Sequence, residues 1–75
     1  MNLNLVITED EKVGGYTMEC PQMPGCVTEA DTLPELYRNW VEASSLWLTA
    51  AKEQLAQGDN PFVGVVKENR ELAFA

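Results

Sequence analysis

Histidine is absent from the 75 residues, and there are only two cysteines and five lysines and arginines. Without an imidazole base, no Ser–His or Cys–His nucleophile pair can be assembled. Cys20 and Cys26 are too few for a four-ligand zinc site. They flank a proline-rich loop, where an oxidising compartment would allow a disulfide and a reducing one leaves small, partly buried thiols. No apolar run approaches the roughly 20 residues that span a bilayer, and no basic segment precedes an apolar core. The expectation is a cytoplasmic protein with no membrane segment and reduced cysteines.

Glycine-rich phosphate cradles are missing too. Gly14-Gly15 reads as a hairpin connection, not as a strand-to-helix loop. Carboxylates are the only reagents in supply. Glu9, Asp10, Glu11, Glu19 and Glu29 could gather a divalent cation through oxygen ligands. Three of these crowd one turn and two lie within strands, which favours a solvated acidic surface. The residue types therefore predict no catalytic, cofactor-binding or metal-binding set, and no enzyme.

What the chain does have is negative charge, −7 in all, and the charge is unevenly placed. Residues 1–31 carry Glu9, Asp10, Glu11, Glu19, Glu29 and Asp31 against Lys12 alone. The other 44 residues carry six acids and four bases. With no basic patch to meet phosphates, direct binding to nucleic acid is not expected. A basic partner would be attracted, although acidity also simply keeps a small protein soluble.

Seventy-five residues make one domain, since domains run from roughly 50 to 250 residues. We expect residues 1–58 to form its core and 59–75 a final strand and tail. So small a chain buries only about 60% of its unfolded surface, and oligomerisation is a common remedy. Leu3, Leu5 and Ile7 alternate with other residues and predict a first strand over about 3–9. Tyr16 to Cys20 predicts a second strand, antiparallel to the first. Pro21-Gln22-Met23-Pro24-Gly25 forces a turn, and Cys26 to Ala30 predicts a third strand.

Thr32-Leu33-Pro34-Glu35 is the sharpest local signal, with Thr32 as N-cap and Glu35 completing a capping box. The helix should run to about Gln57 and stop at Gly58. Leu33, Leu36, Tyr37, Trp40, Ser44, Trp47, Leu48, Ala51 and Leu55 follow helical spacing and predict its buried stripe. The two tryptophans are read as core, the alternative being a platform for a partner's rings. Val41 and Leu46 sit off this stripe and are candidates for an interface between subunits. Phe62 to Val66 predicts a fourth strand, and the tail carries Leu72 and Phe74, which add to the candidate interface. The order is β-β-β-α-β, an α+β fold with one long helix on an antiparallel sheet.

The block from Gly14 to Leu33 has the form GGY…E-C-P…PGC…DTL and resembles the HicB-like antitoxin family over residues 1 to about 55. That resemblance implies a partial ribonuclease-H-like fold, in shape only, because function belongs to sites and not to folds. It implies an antitoxin of a type II toxin–antitoxin system, masking a small basic messenger-RNA-cleaving HicA-like toxin without catalysis of its own. Many HicB antitoxins add a DNA-binding segment. The 17 residues after Gly58 look too short and too acidic for one. The alternative is a solitary homo-oligomer, a dimer or larger, with no toxin partner. For the masking role, the sheet face opposite the helix is the expected contact surface, presenting Thr17, Glu19, Val27 and Glu29 if Tyr16, Met18 and Cys20 face the helix.

Overall fold

In the computed structural model, residues 3–64 are described. Three short strands, β1 (Val6–Glu9), β2 (Tyr16–Glu19) and β3 (Val27–Ala30), precede one long helix, α1 (Leu33–Ala56). The sheet is antiparallel in the order β1-β2-β3, so the chain meanders. Val6 lies opposite Glu19 and Glu9 opposite Tyr16, while Tyr16 lies opposite Ala30 and Glu19 opposite Val27.

The β1–β2 turn is built by Asp10, whose carboxylate accepts the backbone N–H groups of Lys12 at 3.0 Å and Val13 at 3.3 Å. Its own backbone bonds to Gly14 and Gly15 close the loop. Gly15 takes φ +90°, and a Cβ there would meet the Ala30 carbonyl oxygen at 3.3 Å, so a side chain would be strained on both counts.

β1 is shorter than the alternation of Leu3, Leu5 and Ile7 predicts, beginning only at Val6. The reason lies in its neighbour. β2 ends at Glu19, and the chain then turns through Pro21, so no ladder partner remains for residues 3–5. The Asn4 N–H bonds instead to the side-chain oxygen of Gln22 at 3.0 Å. β3 likewise begins one residue late, because the Cys26 N–H is spent on the Met23 carbonyl within the turn. Of the predicted fourth strand, Phe62 to Gly64 carry no strand pairing, and the remainder lies outside the described residues.

The helix starts as its sequence dictates. Thr32 is extended, and its hydroxyl oxygen accepts the Glu35 N–H at 3.3 Å. The hydroxyl also donates to the Glu35 carboxylate at 3.1 Å, so side chain meets side chain across the first turn. Pro34 lies in that turn, where a missing N–H removes no helical bond. At the other end Asp59 N–H reaches the Gln54 carbonyl and Gly58 N–H the Leu55 carbonyl, a Schellman closure with Gly58 at φ +91°. We expect Thr32→Ala to lower stability by about 1 kcal/mol, read as a shift in urea midpoint at unchanged slope.

The core comprises Met18, Leu36 and Ala51, together with a cluster of Cys20, Met23 and Cys26 under the middle of the helix. Trp40, Ala43, Trp47 and Phe62 pack against that cluster. The tryptophans are thus part of the core. The Trp47 indole N–H donates to the Pro24 carbonyl at 2.8 Å, and its ring meets Phe62 edge-on at 5.0 Å. Both cysteines are free and buried. Burial pushes the Cys26 thiol up from its ordinary value, and the neighbouring Cys20 adds to the shift.

One part of the predicted stripe is corrected. Tyr37, Leu48 and Leu55 are exposed. The helix packs against β3 and β2 but not against β1, so its seam is narrower and shifted toward Ala43. Among the described residues, no strand lies beneath the flank carrying Tyr37, Leu48 and Leu55.

A candidate acidic docking site

Strand alternation sorts the sheet residues onto two faces. Met18 is buried toward the helix, with Ile7 and Thr28 directly beside it. The opposite face presents two cross-strand rows. One holds Thr8, Thr17 and Glu29, and the other Val6, Glu19 and Val27. The four residues expected to meet a partner therefore form a compact square, Thr17 opposite Glu29 and Glu19 opposite Val27. Glu19, Val27 and Glu29 are exposed and Thr17 is half-buried.

At one end, this face opens into a cleft of about 840 Å³ between the β1–β2 turn, the end of β3 and the start of the helix. Thr17 and Glu29 line it, while Glu19 and Val27 lie a row away. Six carboxylates, Glu9, Asp10, Glu11, Glu29, Asp31 and Glu35, border the cleft against the single base Lys12. Asp10 and Glu35 are already engaged, one bracing the turn and the other answering Thr32. The Asn39 side chain closes the lower rim by donating to the Glu29 carbonyl at 3.2 Å, which ties the helix to β3.

Five of the six acids fell outside the expected partner set, because turn residues read one by one are ordinary solvated charges. Glu9, Asp10, Glu11 and Asp31 gave only a collective signal, as members of the six acids set against one base over residues 1–31, and Glu35 lay outside that stretch as a capping residue. Among the described residues, no three Asp, Glu or Cys side chains come together closely enough to hold a metal ion. The carboxylates ring an open cleft, an arrangement suited to several cations spread over a partner's surface.

The structure separates the expected subunit-interface residues. Val41 and Leu46 are 65% and 69% exposed. Five positions apart on a helix, they point about 140° from one another, and one flat surface cannot cover both. Leu72 and Phe74 lie outside the described residues. Among the described residues, no helix is long and apolar enough to cross a membrane.

Comparison with known proteins gives a family. A UPF0150 protein of Archaeoglobus fulgidus is 38% identical over 65 residues, covering 87% of this chain and 88% of its own. The chain belongs to the UPF0150 family. A second UPF0150 protein, from Synechocystis sp., is 40% identical over 43 residues, or 57% of this chain and 54% of that one. No family model matches, and no solved structure matches. Neither UPF0150 name specifies an activity, a substrate or a partner.

Proposed function

We propose that this UPF0150 protein is a HicB-like antitoxin that binds and masks a small basic messenger-RNA-cleaving toxin. The observation that carries this reading is the acidic cleft, six carboxylates to one lysine, continuous with the exposed face of Thr17, Glu19, Val27 and Glu29. The sequence pattern from Gly14 to Leu33 supports it independently. The proposed action is occlusion, with no chemistry performed by the antitoxin. Cationic side chains that would otherwise grip RNA phosphates are held by Glu9, Glu11, Glu29 and Asp31, and the competition is electrostatic.

The test is titration against the small basic protein encoded beside this chain's gene. Reversing Glu9, Glu11 and Glu29 to lysine together should weaken binding by at least about 100-fold while leaving the fold intact, since all three are exposed. Raising salt should weaken the unaltered complex, because exposed charges are screened beyond roughly 8 Å at physiological ionic strength. Affinity unmoved by the triple reversal would refute the cleft as the contact.

A second reading, a solitary homo-oligomer, draws on the exposed apolar residues of β1 and the helix flank. Sedimentation with and without the basic protein encoded beside the gene decides between them: a monodisperse oligomer indifferent to that protein favours self-association, and a co-sedimenting complex favours masking.

A further inference from the structure

Sulphur is concentrated beneath the proline-rich turn. The Met23 N–H donates to the Cys20 carbonyl at 2.9 Å, and the Cys26 N–H to the Met23 carbonyl at 3.0 Å. Two i→i+3 turns therefore follow one another, and in such a chain residues three apart fall on the same side. Here that side faces inward. Cys20, Met23 and Cys26 are each at most 3% exposed, and they form one packed cluster. Both thiols are free.

Packing alone asks only for apolar volume at these positions. Two thiols and a thioether supply something more, because they are soft donors that select soft metal ions. Structural zinc sites and iron–sulphur clusters take four protein ligands, and the chain has no histidine to serve as a fourth. A set of three sulphurs suits an ion content with fewer. The surroundings hold the set in place. The Trp47 indole N–H fastens Pro24 from one side, and the Val63 N–H reaches the Gln22 carbonyl at 3.0 Å from the other. The Cys20 thiol donates to Gln22 Oε1 at 3.3 Å, and that oxygen also accepts the Asn4 N–H at 3.0 Å. It therefore keeps a partner once the thiol proton leaves. Pro21, Pro24 and Gly25 are exposed, so the turn covering the sulphurs lies at the surface, where a local opening would admit an ion.

We propose that Cys20, Met23 and Cys26 form a three-sulphur site for a soft monovalent metal ion of the copper(I) class. The two thiols release their protons to water as they bind, and the Met23 thioether completes the set. None of the three lines the acidic cleft, so occupancy of this site is independent of the masking role.

The test is anaerobic titration of the reduced full chain with copper(I), in competition with a chromogenic copper(I) chelator. A single equivalent should be withdrawn from the chelator. The fluorescence of Trp40 and Trp47, which pack against the cluster, should fall in step. Met23→Leu keeps the core filled and removes the sulphur, and it should weaken binding by at least about tenfold. A second readout needs no substitution. In the unaltered protein the Met23 methyl resonance should shift on binding, while that of Met18, buried outside the cluster, stays in place. Failure to compete with the chelator, equal affinity in Met23→Leu, or equal movement of both methyl signals would overturn the proposal.

Discussion

Replacing Leu36 by alanine should cost about 3 kcal/mol and lower Tm by on the order of 15 °C. Leu36 is completely buried, on the first half of the helix where it packs over β3 and β2. Its loss removes transfer energy and leaves a cavity that a thin, single-helix core is poorly placed to collapse around. Small domains have only a few kcal/mol to lose, so the variant should be substantially unfolded at modest temperature. Leu46→Ala is the matched control. With its side chain turned to solvent, it should change stability by less than about 0.5 kcal/mol. Equal effects from the two would mean that the helix is rotated from the register described here. Thermal melts followed by far-UV circular dichroism decide the matter.

The second large effect is expected at Trp47. Its ring stands against Phe62 and the cluster of Cys20, Met23 and Cys26, and its N–H holds the Pro24 carbonyl. Trp47→Ala should cost about 3 to 4 kcal/mol, most of it lost packing. Trp47→Phe keeps an aromatic ring and gives up the hydrogen bond, a loss nearer 1 kcal/mol because Pro24 remains open to water. Urea titrations of the two variants separate packing from the bond. If phenylalanine proves as damaging as alanine, the bond to Pro24 is what holds the turn against the helix.

Much of this architecture was legible from residues alone, and the legible parts share a cause. The Thr32 cap, Pro34 and Gly58 act over three or four residues, and local chemistry determines them. The proline turn and the flanking strands are likewise local. The strand limits were less accessible, since the start of β1 depends on where β2 stops and on Gln22 capturing Asn4. The helix stripe was misread at Tyr37, Leu48 and Leu55 because helical spacing gives direction without saying how much sheet lies beneath. As for the candidate site, strand alternation by itself places Thr17, Glu19, Val27 and Glu29 on a common face. Alternation could not show that a turn, a strand end and a helix start would bring six carboxylates around one hollow. That gathering is a product of tertiary structure.

The crowding of acids at the hairpin end also gives the molecule an electric moment. Glu9, Asp10, Glu11, Glu29, Asp31 and Glu35 border one hollow there with Lys12, whereas from residue 40 to residue 64 the chain carries only Glu42, Glu53 and Asp59 against Lys52. In the field of a cationic surface, a body 44 Å long with its charge so displaced turns before it touches. First collisions are therefore biased toward one tip, and the diffusional search over orientations is shortened before any side chain is in reach.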